Sequence, residues 1–306
     1  MSKKILFMGT PDYATKIFEE ILNSSYTIVG LFTQPDKPVG RKQLITAPHI
    51  KQFCLNNNLT FPIFQPEKLR GNPEAKKQIE DLNPDFIIVA AYGQILPREI
   101  LDIAPCINLH ASLLPKYRGA SPIQESLLND DEFTGVTSML MEEGLDSGDI
   151  LGLQYLKITS DMEVSEAFSK LSEIAAKLTI TTLDNFENIK PKKQNNSLVS
   201  FCKKIKKEYG EVDFTSAKKL YLKYKAYSYW PGVFLHEGLK LREITLLENF
   251  SENKEGEILD FDETGVTIGC LKGSLKIKTL QSPSKKAVSS SDYIRGQRLQ
   301  RRDILI

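Results

Sequence analysis

The chain has 306 residues, which is long enough for two domains of ordinary size. Its 41% hydrophobic and 26% charged residues are typical of a soluble globular protein, and no stretch reaches the ~20 apolar residues of a membrane helix. The four cysteines form no Cys-x-x-Cys pair and the amino terminus lacks the apolar run of a signal peptide, so we expect a cytoplasmic protein without membrane contact, disulfides or bound metal.

The first part of the chain alternates short apolar runs with amphipathic segments. Apolar residues at helical spacing follow the first run, and a polar helix precedes a later run that reads as fully buried. This alternation predicts an α/β fold with a mostly parallel, doubly wound sheet. The predicted strands and helices cover residues 4–8, 14–22, 26–33, 72–82, 85–91 and 106–110. The segment 34–48 is an unusually long loop for such a fold.

From residue 133 onward, the pattern of apolar residues differs from that of the first part. Two runs at 133–141 and 149–158 predict a late pair of strands, and apolar positions from Val164 to Leu178 mark one face of a long helix. The polar segment 191–197 is the best candidate for a linker. Beyond it, a helix is predicted over 216–227. Short β-rich runs separated by turn residues then predict a small barrel or sandwich; they lie at 239–247, 256–260, 265–270 and 274–279.

The net charge of +1 conceals an asymmetry. Residues 1–189 carry 17 Lys and Arg against 25 Asp and Glu, whereas residues 190–306 carry 23 against 14. A basic carboxyl-terminal part favours a polyanionic partner, although a basic solvated surface is the plain alternative.

Asn108 and His110 are the first candidate functional residues. Residues two apart on a strand point to the same side, so both side chains would project together near the carboxyl end of the strand at 106–110, where open α/β sheets bind ligands. An Asn amide and an imidazolium can stabilise the oxyanion of an acyl transfer, and a nearby carboxylate, Asp146, can take up protons. The alternative is that Asn-x-His only supplies polar residues at a strand end.

Two loops are expected at the same edge of the sheet. Tyr92–Pro97 and Ser112–Pro115 mix apolar side chains with available backbone polar groups, a combination that holds flat heteroaromatic ligands. Ordinary loop packing would explain them equally. Lys37, Arg41 and Lys42 in the long loop suggest phosphate contact, against the alternative of solvated charges. A dinucleotide site is not indicated, because Gly9-Thr-Pro-Asp12 lacks the Gly-x-Gly-x-x-Gly fingerprint.

Five segments together carry a resemblance to a known family. They are Phe7-Met-Gly-Thr-Pro11, Thr33-Gln-Pro-Asp36, Ala90-Ala-Tyr-Gly-Gln-Ile-Leu-Pro97, Ile107-Asn-Leu-His-Ala-Ser-Leu-Leu-Pro-Lys-Tyr-Arg-Gly-Ala-Ser-Pro-Ile123 and Gly144-Leu-Asp-Ser-Gly-Asp149. With them, essentially the whole chain resembles the methionyl-tRNA formyltransferases, within the 10-formyltetrahydrofolate-dependent transferases.

The resemblance implies three segments. A Rossmann-like catalytic domain would cover residues 1–189, a linker 190–205, and a basic OB-like β-barrel that helps to hold tRNA 206–306. The co-substrate would be 10-formyltetrahydrofolate, the partner would be initiator Met-tRNA, and we expect a monomer.

The resemblance also implies site residues. The catalytic residues would be Asn108, His110 and Asp146. The folate contacts would be Ser112, Leu113, Leu114, Pro115, Tyr92, Gly93, Gln94, Ile95 and Leu96, and the tRNA contacts Arg41, Lys42 and Lys37. The loop departs from better-known members of the family in its shorter basic run, because Gln43 and Leu44 follow Lys42.

The mechanism expected from these residues is direct formyl transfer without a metal. The amine of the esterified methionine would attack the formyl carbon while Asn108 and protonated His110 stabilise the oxyanion. Asp146 would orient His110 and relay protons towards N10 of the folate.

Two rival functions belong to other classes. A formyltransferase acting on a small amine, such as a purine-pathway ribonucleotide or an amino sugar nucleotide, would not need the basic second domain. A non-catalytic tRNA-binding protein would not need Asn108, His110 and Asp146.

Overall fold

The structure is a computed structural model that describes residues 2–40 and 42–305. The predicted tRNA contact at Arg41 lies outside the described residues. The chain divides into two compact units. Unit 1 comprises the chain through Pro122 with Phe133–Lys157 and Phe168–Cys202, and unit 2 comprises Ile123–Glu132, Ile158–Ala167 and the chain from Lys203 onward.

A seven-stranded sheet forms the centre of unit 1. Its strands are β1 (Lys4–Gly9), β2 (Thr27–Phe32), β5 (Ile63–Phe64), β6 (Phe86–Ala90), β7 (Cys106–His110), β9 (Phe133–Leu140) and β10 (Ile150–Lys157). Their order is β10-β9-β7-β6-β1-β2-β5. All neighbours from β7 to β5 pair in parallel, whereas β9 is antiparallel to both β7 and β10. The predicted α/β class with a mostly parallel sheet is confirmed.

Helices of the amino-terminal part lie between these strands or, in the case of the last one, after β10. They are α1 (Asp12–Leu22), α2 (His49–Asn56), α3 (Pro73–Leu82), α4 (Arg98–Leu101), α5 (Pro122–Leu128) and α6 (Val164–Asn185). The predicted apolar stripe of α1 is buried, with Ala14, Ile17 and Phe18 fully covered. Asn72 caps α3 by accepting a hydrogen bond from the amide of Ala75, and Pro73 occupies the first turn, where no amide donor is needed.

The long loop at 34–48 contains a short hairpin that the sequence did not indicate. Strand β3 (Lys37–Val39) pairs in antiparallel fashion with β4 (Leu44–Thr46). Gly40 begins the turn with a φ of +71°, a value that glycine adopts without strain. The side chains of Val39, Leu44 and Ile45 are exposed. Because this hairpin buries no apolar face, hydrophobic periodicity gave no signal for it.

The segment predicted as a linker is ordered against unit 1. Strand β11 (Phe201–Cys202) pairs in parallel with β8 (Arg118–Gly119), and Lys192 forms an antiparallel bridge with Ile150. The amide of Tyr117 donates to the hydroxyl of Ser200 at 2.9 Å. The boundaries at 190 and 205 stay a prediction, but backbone pairing joins Lys192 to Ile150 of β10 and residues 201–202 to β8.

Unit 2 is built on a mainly antiparallel sheet. Its strands are β12 (Val233–Phe234), β13 (Lys240–Glu248), β14 (Glu257–Asp262), β15 (Gly265–Gly269), β16 (Ser274–Gln281) and β17 (Val288–Ser289). They run in the order β12-β13-β16-β15-β14, with β17 on β16. Helices α7 (Ala217–Tyr227) and α8 (Ser290–Gly296) contribute Leu220, Tyr224 and Ile294 to its apolar core. The predicted small β domain is therefore confirmed.

No helix within residues 2–40 and 42–305 is long and apolar enough to cross a membrane. Within the same ranges, no group of three or more His, Cys, Asp or Glu side chains is arranged to hold a metal ion.

Candidate active site

Strand β7 positions the two polar residues that the sequence singled out. Asn108 lies opposite Met139 and His110 opposite Thr137 in the antiparallel pairing with β9. Because they are two residues apart on one strand, their side chains leave the sheet on the same side. Both are buried, with 8% of Asn108 and 6% of His110 exposed. Buried polar side chains require hydrogen-bond partners, and these come from two loops.

The loop between β9 and β10 brings Asp146 to this pair. Its Oδ1 lies 3.4 Å from Nδ2 of Asn108, and its Oδ2 lies 3.7 Å from Nδ1 of His110. Oδ2 also accepts a hydrogen bond of 2.8 Å from the amide of Gly119. Asn108, His110 and Asp146, the polar trio, are thus brought together as the sequence predicted.

The ring of His110 is held by a group that the sequence analysis did not consider. Its Nε2 lies 2.9 Å from the carbonyl oxygen of Tyr117. A carbonyl can only accept, so Nε2 carries the hydrogen of this bond. The 3.7 Å between Nδ1 and Asp146 is longer than a hydrogen bond. Tyr117 therefore orients the ring, and Nδ1 is the nitrogen that faces the carboxylate.

The loop Ser112–Pro115 is fixed to the same part of the sheet. Thr137, which lies opposite His110, donates from its hydroxyl to the carbonyl of Ser112 at 2.6 Å and accepts from the amide of Leu114 at 3.0 Å. The hydroxyl of Ser112 donates to the carbonyl of Lys116 at 2.6 Å. One threonine thus ties this predicted folate segment to the strand beside the polar trio. Sequence reasoning missed Thr137 because it lies within an apolar strand pattern.

The loop Tyr92–Leu96 is held by hydrogen bonds at its first residue and at its middle residue. The carbonyl of Tyr92 accepts hydrogen bonds from Thr10 at 3.2 Å and Gln34 at 3.1 Å. The side chain of Gln94 accepts from the amide of Leu69 and donates to the carbonyl of Pro66.

The two ends of this loop are buried and its middle is open. Tyr92 and Leu96 are covered, and burial raises the pKa of the Tyr92 hydroxyl above its usual 10. Ile95 is 64% exposed, and Gly93 has a φ of +83°. The loop therefore presents an apolar side chain from a rigid base.

The predicted tRNA contacts Lys37 and Lys42 lie in the β3–β4 segment. Lys37 is on β3 and Lys42 is in the turn, and both are exposed. The base of the hairpin is anchored at Asp36, whose carboxylate accepts from Gln65 at 2.7 Å and from Lys51 at 2.9 Å. These two hydrogen bonds hold the pKa of Asp36 below its usual range. The hairpin thus has a fixed base and carries its lysines into solvent.

Two family models match the chain. Residues 3–183 match the model described as formyl transferase, and residues 204–298 match the formyl transferase C-terminal domain. A relative from Nitratiruptor sp. named methionyl-tRNA formyltransferase is 55% identical over 97% of both chains. Relatives of the same name from Campylobacter jejuni and Sulfurimonas denitrificans are 52% and 51% identical, each over 99% of both chains. The chain belongs to the methionyl-tRNA formyltransferase family. It is therefore an enzyme of the formyltransferase class.

Solved structures share the fold of this family at low identity. WlaRD, a sugar 3N-formyl transferase crystallised with dTDP and 5-N-formyl-THF, is 18% identical with a TM-score of 0.67 over 94% of this chain and 100% of its own. HypX from Aquifex aeolicus, in complex with tetrahydrofolic acid, is 17% identical with a TM-score of 0.65. That match covers 96% of this chain but 47% of HypX, so the chain spans about half of that protein.

Proposed function

We propose that the chain transfers the formyl group of 10-formyltetrahydrofolate to the α-amino group of methionine on initiator Met-tRNA, which yields N-formylmethionyl-tRNA for translation initiation. The observation that carries the proposal is the position of Asp146, whose carboxylate oxygens lie 3.4 Å from Nδ2 of Asn108 and 3.7 Å from Nδ1 of His110. This occurs in a chain that is 51–55% identical, over nearly its full length, to relatives named for that reaction.

The polar trio is the proposed catalytic group. The side-chain amide of Asn108 donates a hydrogen bond to the formyl oxygen as negative charge develops there. Its contact with Asp146 is long, at 3.4 Å, so little is lost when it turns towards this oxygen. The protonated ring of His110 donates to the same oxygen from Nδ1, because Nε2 is committed to the carbonyl of Tyr117.

Asp146 is the proposed proton carrier. The attacking amine loses a proton as its nitrogen bonds to the formyl carbon, and N10 must gain one as its bond to that carbon breaks. The carboxylate of Asp146 takes up the first proton, directly or through water, and returns one for N10. Its side chain is 13% exposed, so exchange with solvent is restricted but not prevented. Hydrogen bonds polarise the formyl group, so the proposed mechanism needs no metal.

The proposed donor site consists of Tyr92–Leu96 and Ser112–Pro115. Their suitability for a pterin ring rests on the exposed side chain of Ile95, the rigid base formed by Gln94 and the attachment of Ser112 to Thr137. Flat heteroaromatic ligands are held by this combination of apolar surface and fixed polar groups. The bound 10-formyltetrahydrofolate supplies the formyl group.

The proposed acceptor contacts are basic. Arg41, Lys42 and Lys37 would contact tRNA phosphates, together with the carboxyl-terminal part, which carries 23 Lys and Arg against 14 Asp and Glu from residue 190 onward. We expect the enzyme to act as a cytoplasmic monomer.

A direct assay tests this function. The full chain is incubated with 10-formyltetrahydrofolate and Met-tRNA, and both formylmethionine on the tRNA and released tetrahydrofolate are quantified. The proposal requires equal amounts of the two products. Release of tetrahydrofolate without formylation of the tRNA would refute it.

The small-amine formyltransferase is the remaining rival. The sugar formyltransferase WlaRD matches 94% of the length of this chain. The presence of a second unit therefore does not by itself exclude a formyltransferase that acts on a small amine. Sequence identity separates the two: 18% to WlaRD against 51–55% to the tRNA enzymes.

A further inference from the structure

The stretch that joins the two family-matched regions reaches into the active site. Residues 184–203 lie outside both matches, and the best linker candidate of the sequence, residues 191–197, falls within them. Within this stretch, the side chain of Gln194 contacts the loop that carries Asp146. No site residue was expected in it, because a glutamine in a polar, aperiodic segment has no distinguishing pattern.

The amide of Gln194 uses its full capacity for hydrogen bonds. Its Nε2 donates to the carbonyl oxygens of Asp146 and Gly148, each at 2.8 Å. Its Oε1 accepts from Nε of Arg118 at 3.0 Å and from Nη2 at 2.7 Å. A primary amide has two N–H groups and two lone pairs, and all four are engaged. Arg118 is itself buried, with 7% exposed, so the pair forms a fixed support.

The loop needs such support. Asp146 has a φ of +47°, which L-residues adopt infrequently. A backbone in this region persists when its surroundings hold it. Gln194 holds the carbonyls on both sides of Ser147, while the amide of Gly119 holds the carboxylate. Since Gly119 follows Arg118 directly, the backbone and the side chain of Asp146 are fixed from the same short strand, β8.

We infer that Gln194 is a positioning residue that holds Asp146 in register with Asn108 and His110, so that the segment between the two matched regions completes the catalytic site. The inference rests on the proposed function of Asp146. Gln194 itself touches none of the reacting atoms in this arrangement. Its effect is transmitted through the backbone of residues 146–148.

Gln194 is not needed to attach the segment itself. The hydroxyl of Ser200 accepts from the amide of Tyr117, and β8 and β11 are joined by backbone hydrogen bonds of 2.9 and 3.3 Å. Lys192 and Ile150 exchange two further backbone hydrogen bonds of 2.8 and 2.9 Å. Gln194→Met keeps the length of the side chain and removes both kinds of hydrogen bond. The segment should therefore stay attached in this variant while the Asp146 loop loses its support.

The first test is kinetic. Misplacing a reacting group by about 1 Å costs on the order of 100-fold, so we expect Gln194→Met to lower kcat by about 10- to 100-fold. The KM for each substrate should stay within about threefold, because the loss falls on the transition state. Asn195→Ala is the matched control: its Oδ1 accepts only from Ser197 among the described contacts, and kcat should hold.

A double-mutant cycle separates positioning from general damage. In the Asp146→Asn background, which lacks the carboxylate that Gln194 positions, Gln194→Met should lower kcat no further. An equal loss in both backgrounds would overturn the inference, as would an unchanged kcat in the single variant.

Amide hydrogen exchange provides a readout independent of the reaction. Exchange in residues 141–149 should speed up in Gln194→Met, whereas exchange in 106–110 should not. If the wild-type chain formylates nothing, the proposed function fails, but this measurement still tests whether Gln194 holds the Asp146 loop. Unchanged exchange in 141–149 would overturn that role of Gln194 whatever the wild-type activity.

Discussion

The two nitrogens of His110 have different environments, and this difference determines what the residue can do. Nε2 is bonded to the Tyr117 carbonyl, whereas Nδ1 faces the carboxylate of Asp146 without a full hydrogen bond. The groups that can donate a hydrogen bond to a substrate are therefore Nδ1 of His110 and the side-chain amide of Asn108. Both lie beside the carboxylate of Asp146, where the formyl oxygen is proposed to lie.

Asn108→Ala and His110→Ala should each depress kcat by about 100- to 1000-fold, the loss typical of removing one oxyanion donor. Asn129→Ala, which removes an exposed asparagine bonded to Glu125, serves as the control and should leave kcat unchanged. Steady-state formylation of Met-tRNA is the measurement. Near-wild-type turnover in either site variant would remove that residue from the mechanism.

The alternation of side chains along a β-strand allowed the Asn108–His110 pair to be predicted, because residues two apart project from the same face of the sheet. The partner groups were not predictable in this way. Tyr117 acts through its carbonyl, which every residue possesses, and Gln194 acts from 48 positions beyond Asp146. Backbone acceptors and distant single contacts leave no periodic signal in a sequence.

At the scale of elements, the β3–β4 hairpin is an exposed arm on an anchored base. Lys37→Ala and Lys42→Ala should each weaken tRNA binding and reduce the slope of log K against log salt concentration by about 1, as expected for one lost phosphate contact. Arg41→Ala is expected to act in the same direction. Lys76→Ala, which removes a lysine paired with Glu80 on α3, is the control. An unchanged slope in Lys37→Ala and Lys42→Ala would exclude the hairpin from the tRNA contact.

Helix α7 contains a buried lysine with a predictable effect on stability. Burial lowers the pKa of Lys225 below its usual 10.5. Between the lowered value and 10.5, the unfolded chain keeps a proton that the folded chain has released, so this residue makes stability rise with pH in that window. Lys225→Met should remove this contribution.

Chemical unfolding across the alkaline range measures the effect. The free energy of unfolding of Lys225→Met relative to wild type should decrease as pH approaches 10.5. Lys219→Met, which removes an exposed lysine from the same helix, is the control. A constant difference between wild type and Lys225→Met would show that Lys225 carries no such linkage.

Elements with a buried apolar pattern were predictable, and those without one were not. The strands at 106–110, 133–140 and 150–157 occur where the sequence placed them. Helix α2 and the two-residue strand β5 were missed, because short elements with few buried residues resemble loops. The ordered structure of the predicted linker up to Cys202 was missed, because polar segments can pair through their backbones.

At the scale of the whole molecule, neither compact unit is one continuous stretch of the chain. Segments 123–132 and 158–167 belong to unit 2, although they fall within the amino-terminal family match. Within unit 2, Lys218 pairs with Asp130 at 2.6 Å and the hydroxyl of Tyr224 donates to Glu163 at 2.9 Å. The charge asymmetry and the strand pattern indicated a second domain, but no local pattern indicated that two segments from the amino-terminal part belong to it.

A fragment of residues 1–205 should consequently melt at a lower temperature than the full chain, because it leaves segments 123–132 and 158–167 without α7. Thermal unfolding followed by circular dichroism measures this. Equal melting temperatures would show that the catalytic part is stable without the helix and would favour simple boundaries at 190 and 205.

The most direct test of the central claim is a comparison of acceptors under one condition. The wild-type chain is given 10-formyltetrahydrofolate with initiator Met-tRNA, with an amino sugar nucleotide or with an amine-bearing purine-pathway ribonucleotide, and kcat/KM is measured for each. The structure and the family predict efficient formylation of Met-tRNA and negligible formylation of the other two. Efficient formylation of a small amine, with none of Met-tRNA, would contradict the account.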